Sequence, residues 1–212
     1  QTQEGRHYFS HLENLTKKLQ GYAEKAPQNK IDELVRQRLE EMYKPTTKEA
    51  YDKVLPLPEM DEAEAALKTG RVLLIISPDG KTPPGVVANF FRGLINKNNI
   101  LVLTGDKSSI ASIEKAARHV YAVDKANELP VSPLQRKELD EKKAQYQQDF
   151  QTTVLSVFDK LLIPSFKGED VLRAKVLDNT YPSNQPYNGE QQIIKTLTAD
   201  PIKLYLQITE NF

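Results

Sequence analysis

A chain of 212 residues is long enough for one large domain, or one domain with an appended module, and without cysteine it excludes disulfides, thiolate zinc sites and cysteine nucleophiles. Lys plus Arg and Asp plus Glu each number 29, so bulk charge argues neither for a nucleic-acid coat nor for a membrane-surface protein, although a net count cannot see a local basic face. No apolar run approaches the ~20 residues needed to span a bilayer, nothing at the start reads as a signal peptide, and the lack of cysteine fits a reducing cytoplasm.

The chain opens QTQEGRH, without an initiator methionine, as expected of a piece cut from a longer protein. From His7 to about Ala26, Tyr8, Leu12, Leu15, Leu19 and Tyr22 recur at three- and four-residue steps and predict a helix. A second helix follows Pro27, carried by Ile31, Leu34, Val35, Arg38, Leu39 and Met42, and ends before Pro45. Residues 45–53 are polar and are allowed another helical turn or two. KVLPL at 53–57 reads as a short strand that Pro56 confines to an edge or a strand end.

Glu59–Lys68 is a charged, alanine-rich helix stopping at Thr69-Gly70, where glycine suits a left-handed cap. Arg71–Ile76 and Ile100–Thr104 are apolar without alternation, as strands covered on both faces should be. Between them Pro83–Asn96 supplies a proline-entered helix of the length a parallel crossover requires, and Ser108 to about Ala126 supplies the next helix. The expectation is an α/β fold: three layers and a mostly parallel sheet with Rossmann-like crossovers. Ser132 caps a long helix through LQRKELDEKKAQYQQDFQTTVLSVFDKLL, charged at first and apolar later. Leu162–Phe166 and Val171–Leu177 flank a turn at 167–170 and suggest a hairpin. A short helix at Glu190–Thr198 follows, and Ile202–Ile208 stays unassigned. The organisation expected is a helical segment at 6–52, a parallel α/β core at 53–129, a long helix packing on it at 130–166, and a hairpin and helix appendage at 167–212.

Two strand ends carry the residue types of chemistry. LLIISPDGK and ILVLTGDKSS each run from an apolar strand into a hydroxyl, a turn residue, an aspartate and a lysine. In open α/β sheets ligands bind beyond the carboxyl ends of the strands, where Asp79 and Asp106 fall. Were the strands neighbours, the two carboxylates could share a divalent metal, with Lys81 and Lys107 as phosphate partners and Ser77, Thr82, Thr104 and Ser108 as neutral ligands. The plainer reading is a handover from strand to helix, since Asp, Ser and Gly are what turns and N-caps use. Neither loop is a GxxxxGK[ST] or GxGxxG phosphate cradle.

The remaining candidates are sparse. His7 and His11 share a helical face but lack a third metal ligand, and His119 is expected at a helix–sheet boundary. No GxSxG elbow is present, and Arg136, Lys137, Lys142 and Lys143 are interleaved with acids, as on a solvated helix. Arg92, Lys97 and Arg118 are candidates to contact nucleic acid should they gather, with Lys107, on one side of the sheet.

The order RHYFSHLENLTKKL, RVLLIISPDGK, NNILVLTGDKSSIASIEKAARHVYAVDKANEL and QYQQDFQTTVLSVFDKLLIP resembles a family of very large bacterial and archaeal ATPases, predicted AAA-superfamily proteins carrying domain of unknown function 499 and related in layout to phage-exclusion ATPases. The resemblance covers roughly residues 6–166; Asp106 matches the aspartate that follows its NNILVL-type strand, and no catalytic role carries over with it. In that family the nucleotide-binding loop lies well upstream. The resemblance therefore implies a downstream, non-hydrolytic domain, with ATP and Mg belonging to the parent protein. It also implies docking to the rest of that ATPase, and work on foreign DNA beside methyltransferase or nuclease subunits. The alternative expectation is a metal-dependent phosphate-handling enzyme domain built on the strand-end aspartates.

Overall fold

The structure is a computed structural model that describes residues 15–78, 84–94, 99–105, 109–130, 132–165, 171–181 and 185–199. In chain order its elements are α1 (residues 15–24), α2 (Gln28–Met42), β1 (Lys53–Pro56), α3 (Met60–Leu67), β2 (Leu73–Ile76), α4 (Pro84–Gly93), β3 (Ile100–Thr104), α5 (Ile110–Asn127), α6 (Pro133–Val157), β4 (Lys160–Ser165), β5 (Val171–Val176) and α7 (Gly189–Thr198). They fall into two compact units: the chain up to Val35 with Ala111–Val154, and Arg36–Ile110 with the chain from Leu155 on.

The sheet unit holds five strands in the order β1-β2-β3-β4-β5. β1, β2 and β3 run parallel, β4 is antiparallel to β3, and β5 is antiparallel to β4. The fold is thus α/β with a mixed sheet, parallel at one end and closed by a hairpin at the other. Leu73 and Ile75 of β2, with Ile100 and Val102 of β3, pack on Ala63 of α3 and Phe91 of α4, so both crossover helices cover one face. Leu74, Ile76, Leu101 and Leu103 point the other way and are equally inaccessible. Burial on both faces is why these strands read as unbroken apolar runs, each buried side chain contributing about 1.5–3 kcal/mol.

Prolines and a glycine punctuate this unit as the chain chemistry requires. Pro56 ends β1, an edge strand, where a missing N–H is tolerated. Pro164 has no N–H to give β3, and the β3–β4 ladder stops at Val102↔Leu162. Gly70 follows α3 with φ of +72°, the left-handed conformation expected there.

Two sequence expectations change. The long helix stops at Val157, and Lys160–Leu162, expected to end it, open β4 instead, ahead of the strand expected from Leu162. A short apolar run fits either period, and pairing with β3 decides it. Residues 45–52 form no helix; they are irregular, with Lys48 at φ of +60°.

The helical unit rests on α1, α5 and α6. Leu15, Leu19 and Ala23 recur every fourth residue of α1 and meet Ala122, Val123 and Ala126 of α5 and Leu139 of α6. The alanines let these helices approach closely. α6 opens with a reciprocal capping box: Gln135 N donates to Ser132 Oγ (3.3 Å), and Ser132 N donates to Gln135 Oε1 (3.1 Å). Among the described residues no helix is long and apolar enough to cross a membrane.

Candidate functional site

β2 and β3 are parallel neighbours in the register Ile76↔Leu103, so their carboxyl ends lie side by side. The backbone continues the contact, Ser77 N donating to Leu103 O at 3.0 Å. Ser77 and Thr104 are both buried. Gly105 has a specific steric cause. A Cβ there would stand 1.4 Å from the Val157 carbonyl oxygen and 2.6 Å from its carbon, so glycine lets the end of α6 pass against the strand end. Asp79, Lys81, Thr82, Asp106, Lys107 and Ser108 lie outside the described residues, as do Lys97, His7 and His11. Among the described residues no group of three His, Asp or Glu side chains converges to hold a metal.

Of the basic candidates, Arg92 is exposed in the last turn of α4, and its Nη1 donates to Asn89 Oδ1 at 3.3 Å. Arg118, on α5, serves its own unit. Its Nη1 donates to the Ala23 and Ala26 carbonyls at 3.3 and 2.9 Å, and its Nη2 donates to Gln28 Oε1. These carbonyls lie at and just past the end of α1, where Ala23 O accepts a long bond from Ala26 N at 3.4 Å, so the guanidinium adds donors to the helix end. The two arginines belong to different units.

Beside Arg118 a cleft of about 490 Å³ has Leu19, Ala23 and Ala122 among its lining residues, with His119 and Tyr146. His119 lies on Tyr146 of α6, ring centroids 5.0 Å apart and planes tilted by 38°, so its neighbour is a helix. Burial pushes the imidazole pKa down, and Lys115 adds to the effect.

A polar convergence in the sheet unit lies elsewhere, between residues 43–51 and residues 178–181 and 187–190. Glu190, fully buried in the first turn of α7, accepts on Oε2 from Thr46 N, Thr46 Oγ1 (2.7 Å) and Thr47 N (2.8 Å). Its Oε1 makes no hydrogen bond. Burial pushes this carboxyl up, but the Thr46 hydroxyl and the amides of Thr47, Thr46 and Lys48 outweigh it and hold the pKa below the usual glutamate value. With Lys48 left-handed, the amides form an anion-binding concavity that the protein fills with its own carboxylate.

Tyrosines complete this knot. Tyr51 OH donates to the Tyr43 carbonyl at 2.7 Å; Tyr187 OH lies 3.3 Å from both Tyr43 OH and Asn179 Oδ1. The rings of Tyr43 and Tyr187 meet edge-on, as do those of Tyr181 and Tyr187. Burial raises the phenol pKa of Tyr43 and Tyr51 far above its usual value and pushes that of Tyr187 up to about 12, so all three stay neutral. Gly189 is pinned here, because a Cβ would stand 2.2 Å from Tyr43 Cδ1 and 2.7 Å from the Met42 carbonyl oxygen. Asn188 caps α7 by accepting from Gln191 N at 3.1 Å.

Chemically the knot is a fastening. Its carboxylate is committed to backbone amides and its phenols are held neutral. The sequence carries half its signal: Asn188-Gly189-Glu190 reads as a cap followed by an acid in a first turn. Nothing in Thr46-Thr47 marks them as the carboxylate's partners 144 and 143 residues away. Searches of protein-family models, curated proteins and solved structures find no match to this chain.

Proposed function

We propose that this chain is a non-catalytic docking domain of a larger AAA-type ATPase, engaging the rest of that protein, partner subunits or DNA in the cytoplasm, in defence against foreign DNA. The carrying observation is the closure at the end of β3, where Gly105 yields to the Val157 carbonyl and Thr104 is buried. That supports the handover reading, in which the strand end is occupied by the chain's own backbone. Right-handed, Rossmann-like crossovers belong to the same proposal, supported by α3 and α4 sharing one face of the parallel strands. ATP and Mg then act in the parent protein and methyltransferase or nuclease subunits are its partners, as the sequence resemblance implies. The test is ATP turnover by this chain with Mg²⁺. None above buffer is expected, and robust turnover lost in Asp106→Ala would overturn the reading. For the DNA arm, affinity should fall steeply as salt rises; no retardation of any duplex at low salt removes it.

One observation favours a second reading, a metal-dependent phosphate-handling domain. β2 and β3 are adjacent and parallel, the arrangement that sharing one metal between their strand-end aspartates requires. That reading expects millimolar Mg²⁺ or Mn²⁺ to raise Tm, with the shift lost in Asp79→Ala, as for any ligand of the native state. No shift in either protein eliminates it.

A further inference from the structure

The hairpin half of the sheet ends in an edge whose backbone chemistry can be read from its register. Leu177 N donates to Asp159 O at 2.7 Å, which makes Asp159 and Leu177 a hydrogen-bonded antiparallel pair. Bonded and non-bonded pairs alternate, so Leu161↔Lys175 and Ile163↔Arg173 are bonded as well. The N–H and C=O groups of Leu172, Ala174 and Val176 therefore turn away from β4. β5 ends the sheet order, and no further strand lies beside it among the described residues.

The side chains on that edge are unguarded on one face. Leu172 packs on the cluster of α3, α4 and the central strands. By strand alternation Ala174 and Val176 share its face, yet both are exposed, Val176 by 75%. Arg173 and Lys175 mark the opposite face as hydrophilic. A row of open backbone groups beside exposed apolar side chains is a template for another strand, and proteins cover or block such edges.

We propose that the outer edge of β5 is a strand-docking site whose occupant is this chain's own segment 202–208. The sequence there is IKLYLQI: Ile202, Leu204, Leu206 and Ile208 alternate strictly with Lys203, Tyr205 and Gln207. That pattern suits a strand placing its apolar row beside Leu172, Ala174 and Val176 and its polar row beside Arg173 and Lys175. α7 delivers the segment to the right end of β5. Lys195 Nζ pairs with Asp178 Oδ2 at 2.7 Å, and Asp178 N donates to Thr196 Oγ1 at 3.4 Å, so the last turns of α7 lie against the residues that leave β5. From Ala199 to Ile202 the backbone reaches about 10 Å, and Asp200-Pro201 favours an extended exit from the helix. A segment starting beside Asp178 and running back along β5 adds an antiparallel strand. A tether this short gives the chain's own segment the advantage over any strand arriving from solution.

The first test is amide hydrogen exchange in the full chain. The amides of Leu172, Ala174 and Val176 should exchange at least tenfold more slowly in the parent chain than in Leu206→Pro or Leu204→Asp, while Leu74 and Val102 stay protected and report an intact fold. Equal exchange at β5 in parent and variants overturns the proposal. The second test uses the absence of native cysteine. Ala174→Cys is combined in turn with Leu204→Cys, Tyr205→Cys and Leu206→Cys and oxidised at low concentration. Cross-linking within one molecule, strongest for one parity of position, supports docking. Disulfide-linked dimers, meaning a second copy on the edge, or no cross-link at any position, overturn it.

Discussion

The strand ends of β2 and β3 and the knot around Glu190 form an instructive pair. The first is written in residues that suggest chemistry: hydroxyls, aspartates, lysines and glycine within a few positions. Its described atoms are explained by close packing, with Gly105 against Val157 and buried hydroxyls on Ser77 and Thr104. The second is written in residues that mark no more than a helix cap, yet it gathers a buried carboxylate, three hydrogen-bonded tyrosines and two threonines from segments far apart in the chain. Turn composition reports what the local backbone needs. Polar convergence reports what distant segments need, and spacing along the chain does not encode it.

The comparison breaks most easily at its two ends. Gly105→Ala should give the largest effect, because overpacking already costs 1–3 kcal/mol and a 1.4 Å approach to a backbone oxygen leaves no room to relax; roughly 3 kcal/mol or more is expected in chemical denaturation. A neutral Gly105→Ala would mean that the end of α6 is free to move, and the ligand reading of that strand end would gain. Next, Glu190→Ala should cost roughly 2–3 kcal/mol, since it strands the Thr46 and Thr47 amides, while Glu190→Gln, which keeps an acceptor, should cost about half as much. If the two substitutions cost the same, the neutral acceptor contributes nothing and the charge carries the knot.

Much of the fold was legible where one period dominates. RVLLII and ILVL announced doubly covered parallel strands because nothing in them alternates, and Pro56 marked an edge strand because it lacks a donor. Legibility failed where two readings shared the same residues. Lys160–Leu162 satisfies helix and strand alike, and only its pairing with Val102, Leu103 and Thr104 made it part of β4. It failed again at residues 45–52, whose conformation is set by a carboxylate beyond any local window. Arg118 shows the same limit from the other side: a surface charge by count, it binds two carbonyls at the end of α1 and the Gln28 side chain that opens α2. Along the chain, such a cation has the same neighbours as one awaiting a phosphate.

The tyrosines sharpen the comparison by pH. Each raised phenol favours the folded state while it is neutral, so the contribution is complete below the unfolded tyrosine value of about 10 and is lost as pH rises towards the folded value, about 12 for Tyr187. Melting temperature should therefore fall between pH 10 and 12, together with a delayed tyrosinate absorbance. Tyr51→Phe, which removes one buried bond to the Tyr43 carbonyl, should cost about 1 kcal/mol at neutral pH. Normal tyrosinate titration near pH 10 for the whole protein would mean that water reaches these rings.

The smallest effect belongs to the rim. Asp178 accepts from Thr180 Oγ1 (2.5 Å) and Thr180 N (3.0 Å) and pairs with Lys195 at 2.7 Å, and the lysine and threonine bonds hold its pKa far below the usual aspartate value. A lowered carboxylate stabilises the fold above its unfolded pKa and ceases to do so as pH falls through the lowered value, the same sense as Glu190. The pair is solvent-exposed, so screening leaves it little to contribute, and Asp178→Asn should shift Tm much less than Glu190→Gln at pH 7, by an amount that shrinks further as pH falls below the ordinary aspartate value. Both substitutions remove one negative charge from neighbouring parts of one structure. Equal losses would assign the fastening to net charge, whereas a large loss at Glu190 and a small one at Asp178 assigns it to the desolvated amides that only the buried carboxylate can satisfy.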